Sequence, residues 1–400
     1  MKKNILAAMA ASILCLAGES FSMSSNRITN VSEKINTMNV FTDVPLENEE
    51  IFPEKTVADV LAKKSSILHP QVHQAIFSDE ELTSVEGLPS LSGKIQDLVF
   101  IENHLKDING LPYSPYVTRL DVSHNLINDL SGAKNTPNLW WLNVGCNNLR
   151  DFNSLPNLPE VTHLIAYSNQ IEDLEGLRRL PKLERVFLQG NRISSLRSLP
   201  NPLNITHLEI GENYLQDLQG MPDMPKLKLL SLSYNPLINL RGMPEMPELE
   251  DLSCGFTDIM SLEGMSPNFP KLWWLNFKCG NLVTLVGFPK NLLALKYLNL
   301  SYQKLINLNG SPSILLSLTH LDISFNLLQN LDDLPEMPNL EVLKIQGNPL
   351  SKDALMRVQW KRFPKLRELS ALECDGAEEV AHKIISEIGR KITTCITFFD

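Results

Sequence analysis

Residues 227–248 read LKLLSLSYNPLINLRGMPEMPE, and this stretch decides the fold. Its apolar residues stand at positions 1, 4, 6, 11, 14 and 17 (Leu227, Leu230, Leu232, Leu237, Leu240 and Met243). Asn235 holds position 9, Gly242 position 16 and Pro244 position 18. The same pattern returns in coils beginning at Ile95, Val117, Leu139, Val161, Leu183, Ile205, Leu227, Leu249, Leu272, Leu295, Leu318 and Leu340. The spacing is 22 residues up to Leu249, then 23 three times, then 22. A degenerate earlier coil starts at Val72 and keeps Leu82, Val85, Gly87, Leu88 and Pro89. Self-similarity at such a period is the mark of stacked repeats, each burying its apolar face against the next.

The pattern has a physical reading at each position. Positions 3 to 7 alternate apolar and variable residues, the period of a strand with one buried face. Identical short strands in successive coils stack in parallel. The position-9 asparagines recur as Asn103, Asn125, Asn147, Asn169, Asn191, Asn213, Asn235, Asn326 and Asn348. A carboxamide both donates and accepts, so this ladder can satisfy turn backbone that has no sheet partner. Gly at 16 and Pro at 18 and 21 (Gly220, Pro222 and Pro225 in one coil) favour turns or short 3₁₀ pieces on the return path. The expected fold is an α/β solenoid: a curved horseshoe with a parallel concave sheet, a short 3₁₀/turn convex side and helical caps at both ends.

These residues resemble the 22-residue class of leucine-rich repeats, as in internalin-type bacterial surface proteins and phosphatase-regulatory repeat proteins. The resemblance covers roughly residues 72–370. It implies a binding scaffold and does not name a partner.

The ends divide the chain further. Lys2 and Lys3 precede an apolar run from Ile5 to Ala17, with small residues at Gly18, Ser20 and Ser22, so 1–22 reads as a secretory signal. Its removal leaves 34 basic and 45 acidic residues, a charge of −11 against −10 for the whole chain. That acidic balance is a poor match for nucleic acid. No later segment reads as a membrane span, and the expected location is secreted, periplasmic or cell-surface. Residues 23–52 read as a flexible polar leader, and 53–94 as an N-terminal cap with the degenerate coil. The twelve repeats fill 95–350, and 351–400 form a C-terminal cap. That cap is expected to hold a helix over Asp353–Arg362, a second over 376–391 with Val380, Ile384, Ile385 and Ile388 on one face, and a short strand at Ile396–Phe399. Cys374 and Cys395 are the only plausible disulfide partners.

Function is expected on the concave positions 3, 5 and 7, with 2 and 8 at the margins. Two aromatic groups stand there. The first is Trp141, Ile165, Tyr167 and Phe187; the second is Tyr234, Phe256, Trp274, Tyr297, Tyr302 and Phe325. Clustered Trp and Tyr mark binding surfaces. In the three 23-residue coils the ladder residue becomes Thr257, Gly280 and Gln303, so insertion and ladder break coincide within the second patch. A change of curvature is expected there. Thr-His recurs at Thr162-His163, Thr206-His207 and Thr319-His320, where strand spacing keeps the imidazoles too far apart to share one zinc, and they read as surface residues. No phosphate loop, His-Glu-x-x-His or Gly-x-Ser-x-Gly is present. The chain is therefore expected to be a monomeric, non-enzymatic scaffold, without metal or cofactor, whose concave face binds a protein. A glycan ligand and an intracellular regulatory role are the alternatives.

Overall fold

The computed structural model describes residues 53–400 except 70, 92, 201–203, 372–376, 390–392 and 395–400. The expected signal segment, the leader, the tail strand at 396–399 and the Cys374–Cys395 pair lie outside the described residues. Among the described residues, fifteen short strands form one parallel sheet in strict chain order. Each strand occupies positions 3 to 5 of its coil, and neighbours pair in register; Trp274 lies opposite Tyr297 and Leu275 opposite Leu298. The sheet therefore begins in the degenerate coil, at Gln74–Ile76, and runs through the twelve regular coils. It continues into the C-terminal cap at Glu368–Ser370 and Thr393–Thr394. No helix among the described residues is long and apolar enough to cross a membrane.

Inside, positions 1, 4, 6, 11, 14 and 17 of successive coils merge into one core; Leu227, Leu230, Leu232, Leu237 and Leu240 are all fully buried. The return path holds 3₁₀ turns at Ser131–Asn135 and Glu175–Arg179. Backbone approaches closely there: a Cβ on Gly132 would lie 2.0 Å from the Ile108 carbonyl oxygen. The extra residue of each 23-residue coil falls on this convex return, between Met265 and Phe269 in the first of them. The strand register across those coils is unbroken.

In the coil at Leu295, position 17 is Ser311, where other coils carry Leu, Met, Phe or Ala. A cavity of about 20 Å³ lies beside it, lined by Leu285, Phe288, Leu298, Leu308 and Leu315 among others. Ser311→Met should fill it and raise the thermal midpoint by a few degrees, a gain of about 1 kcal/mol. An unchanged or lower midpoint in a thermal melt would reject that reading of the cavity.

Both ends are capped by short helices. Helix α1 (Val57–Leu61) buries Val57 and Val60, and the Asp59 carboxylate accepts from the Thr56 amide at 2.9 Å to close its first turn. Gly87, at φ +79°, makes room for it: a Cβ there would meet Ala58 Cβ at 2.5 Å. At the other end α2 (Lys352–Arg357) is shorter than the sequence pattern suggests. The backbone turns extended at Val358 and resumes as a 3₁₀ turn at Trp360–Arg362. That break swings Trp360 fully into the core, where its indole N–H donates to the Leu355 carbonyl at 3.3 Å. Helix α3 (Ala377–Ile388) buries Val380 and Ile384 and packs Ile388 partly against the core. Ile385 is exposed, because one residue beyond Ile384 is about 100° round a helix and leaves the apolar stripe.

Candidate functional site: the concave sheet and its rim

Each coil leaves the strand through the ladder. Asn147 shows the geometry: its Nδ2 donates to the carbonyls of Val122 (3.0 Å), Val144 (3.1 Å) and Gly145 (3.2 Å), and its Oδ1 accepts from the Ile127 amide at 2.8 Å. Val122 and Ile127 belong to the preceding coil, and Val144 and Gly145 to Asn147's own. Where the ladder changes, the chemistry is redistributed. Thr257 donates only to the Cys254 carbonyl, at 2.9 Å. Gln303 accepts from the Leu282 amide at 2.8 Å and donates to the Phe277 carbonyl, doing asparagine's work with a longer arm. Gly280 gives that arm its room, since a Cβ there would lie 2.9 Å from Gln303 Oε1.

Position 8, just before the ladder, lies in the left-handed region in every regular coil. Polar or small residues fill it in the N-terminal coils, with Glu102, His124, Cys146, Ser168 and Gly190. Tyr234, Phe256, Tyr302 and Phe325 fill it further on, at φ 60°, 57°, 57° and 53°. For bulky side chains this conformation is an outlier, costing about 1–2 kcal/mol each. The sequence pattern does not reveal it, because the turn imposes the conformation whatever residue stands there.

The second aromatic patch therefore divides into two rows. At position 3, Trp274 and Tyr297 sit 5.2 Å apart between ring centroids, and Tyr297 stacks on His320 at 4.4 Å. Trp273, at position 2, braces both rings edge-on at 5.9 Å. At position 8, on the rim, Tyr234 stacks on Phe256 at 4.2 Å and Tyr302 on Phe325 at 4.3 Å. Cys279 stands between those two pairs, and the Lys278 ammonium lies 5.8 Å from the Tyr302 ring.

The first patch is brought together, but it is covered by its own members. Trp141, Ile165 and Phe187 form a separate buried cluster on the concave side, with Tyr167 partly buried against it. Tyr167 lies over Gly145, where a Cβ would come within 2.8 Å of the ring. Arg119 stacks over Trp141 at 4.9 Å and pairs with Asp97 at 3.7 Å. Trp273 and Arg119 were not singled out by the sequence pattern, and His320 was read only as one of the surface Thr-His pairs, not as part of the ring array. Arg119 and His320 meet rings 22 and 23 residues away on the adjacent coil, and the aligned position-3 column could have found them; Trp273 stands one position earlier, beside Trp274.

From the coil at Val161 to that at Leu249 the concave face carries titratable groups partly stripped of water. His163 and His207 are half-buried rather than surface residues, and both are pushed down to about 4, chiefly by burial, with the Arg185 charge adding. Each takes a hydrogen bond at Nδ1 with its neighbouring threonine hydroxyl, at 2.8 and 2.9 Å. Asp251 is pushed up to about 7 by burial, with Glu209 adding, and Glu209 is itself raised by burial. Neither carboxylate has an ion-pair partner among the described residues. Between pH 4 and 6.5 the folded chain holds fewer protons on the two imidazoles than the unfolded chain, so their contribution to stability is lost as pH falls through that window. Asp251 acts oppositely: its contribution is present below pH 3.8 and is lost as pH rises through about 7. In an NMR titration the His163 and His207 ring protons should move with midpoints near 4. Midpoints near 6.5 would mean that both rings are fully hydrated.

The comparisons agree with this geometry. The family profile described as Leucine Rich repeats (2 copies) matches residues 159–201. An internalin from Listeria monocytogenes superposes with a TM-score of 0.63 at 18% identity, over 90% of this chain and 100% of that one. YopM, a leucine-rich effector protein from Yersinia pestis, superposes with a TM-score of 0.54 at 25% identity, over 82% and 89%. A leucine-rich-repeat protein from Leptospira interrogans gives 0.51 at 18% identity, over 81% and 100%. No curated protein matches the sequence. The fold is a leucine-rich-repeat solenoid, similar to that of a Listeria internalin.

Proposed function

We propose that the chain is an exported scaffold that binds a protein ligand on its concave face and performs no chemistry of its own. The observation that carries this reading is the ring array of Trp273, Trp274, Tyr297 and His320. It presents partly exposed, pre-stacked aromatic surface across three neighbouring coils, the composition and rigidity that binding hot spots use. Asp251 and Glu209, desolvated and without counterions among the described residues, lie on the same face and suit a lysine or arginine of the partner. The likeness in fold to an internalin and to an effector protein supports export and a host-directed role.

Asn276 and Asn299 stand two residues from Trp274 and Tyr297, and amides beside rings also suit a glycan. Affinity capture from candidate host extracts, with Trp274→Ala/Tyr297→Ala as the control, tests the reading. A discrete protein that the wild type retains and the variant loses supports it. Equal capture by both chains overturns the site, and release by soluble sugar favours the glycan.

A further inference from the structure

Next to the rim aromatics runs a second row. Position 12 is polar in the earlier coils, with Lys106, Asn128, Arg150, Glu172, Ser194 and Gln216, and polar again at Gln329. In the four coils between it is Ile238, Met260, Val283 and Ile306. These side chains are exposed, Ile238 and Met260 by 58% and Ile306 by 59%. They are held in a row by backbone bonds between coils; the Val283 amide donates to the Met260 carbonyl at 3.1 Å. The aliphatic row and the position-8 aromatic row share the coils at Leu227, Leu249 and Leu295, with Cys279 at position 8 beside Val283 and Phe325 one coil beyond Ile306. Tyr214 and Leu327, both exposed at position 10, close the band at its two ends.

The band reads nearly the same in both directions, with one mismatch, Phe325 against Glu212. A centre placed between the coils at Leu249 and Leu272 relates Tyr234 and Ile238 to Tyr302 and Ile306. It also relates Met260 to Val283, Phe256 to Cys279 and Tyr214 to Leu327. Its charges reverse about the same centre. Glu212, Asp217 and Asp258 lie on the N-terminal half, and Lys278 and Lys304 on the C-terminal half. We infer that this edge pairs with the same edge of a second copy, antiparallel, about a two-fold axis running through that centre from the concave to the convex side. Such an axis lays Tyr234 and Ile238 over the partner copy's Tyr302 and Ile306, and the acidic half of each band over the lysine half of the other. Because the axis is radial, the two arcs coincide whatever their curvature, and rows 8 and 12 each meet their own kind. Self-complementarity of this sort is what a closed two-fold interface requires. The exposed side chains of the band offer roughly 900 Å² per copy, against the roughly 800 Å² that each partner buries in a standard stable interface.

The pairing leaves both concave faces open on one side, so it stands or falls separately from the ligand reading above. It departs from the monomer expected from sequence. Light scattering on the full chain at high micromolar concentration should give twice 45.0 kDa. Ile238→Lys/Ile306→Lys, substitutions at exposed sites, should weaken association at least about tenfold with an unchanged circular dichroism spectrum. A short bis-maleimide should join two copies through Cys279, which lies one coil spacing from its symmetry mate, and should fail with Cys279→Ser. A mass of 45.0 kDa at every concentration overturns the inference, as does a dimer that both lysines leave intact. Ligand capture by the lysine variant should be retained on a per-site basis; the Trp274→Ala/Tyr297→Ala variant should dimerise normally.

Discussion

Asn147→Leu is expected to destabilise the chain by about 2–4 kcal/mol and to speed hydrogen exchange at the Ile127 amide. The carboxamide makes four bonds, but the losses are unequal. Val122 and Val144 keep donors from Asn125 and Asn169, at 3.1 and 2.9 Å, and Gly145 keeps the His124 amide at 2.9 Å. The Ile127 N–H has no such reserve. It is buried beside an apolar side chain in the variant, and an orphaned buried donor costs about 1–3 kcal/mol by itself. Asn147→Thr should be milder, since Thr257 shows that a hydroxyl at this position still serves the carbonyl of its own coil. Unchanged protection at Ile127 in Asn147→Leu would show that the ladder does not carry the turn.

Trp274→Ala/Tyr297→Ala should weaken ligand binding by about 30- to 1,000-fold, the range of roughly 2–4 kcal/mol that clustered aromatic hot spots supply. The rings are partly exposed and already stacked, so little conformational freedom remains to be lost when a partner lands on them. Trp141→Ala is the contrasting case. Trp141 is 7% exposed and packs on Ile165 and Phe187, so its loss opens a cavity and costs about 3 kcal/mol of stability. The two should separate cleanly: a lowered thermal midpoint for Trp141→Ala, and weaker binding at an unchanged midpoint for the Trp274/Tyr297 pair. Equal affinity for the latter pair would remove the concave array from the interface.

The stacked coils were legible because each buried position repeats at fixed spacing, from Leu98 to Leu343, and a period of 22 survives local variation. The two aromatic groups were legible as columns. What each column does was not. Trp141 and Tyr297 share position 3, yet one is buried and the other half-open, because Trp141 has Ile165 and Phe187 to cover it and Tyr297 has only other rings beside it. The left-handed turn at Tyr234 and Phe325 was hidden for another reason: residue type there reports tolerance of strain rather than the strain itself. The ladder break was visible, but its repair needed coordinates, since only distance shows that Gln303 reaches the Leu282 amide through the space Gly280 leaves. The apolar edge is visible in sequence once position 12 is aligned, yet it draws attention only when the structure shows those side chains exposed.

The ladder also sets the unit in which this chain can change length. Each asparagine serves the coil before it, so Asn213 accepts from the Ile193 amide and Asn235 from the Leu215 amide. Excising 205–226 would bring Asn235 onto Ile193 with every bond remade, and a shorter protein should fold. A one-residue deletion within a strand would turn its buried side chains outward, whereas the convex return already absorbs one extra residue in each 23-residue coil. One place resists even whole-coil excision. A Cβ in place of Gly280 would lie 2.9 Å from Gln303 Oε1, so losing the coil that holds Gly280 would force the Gln303 carboxamide to shift to keep its bond to the neighbouring turn.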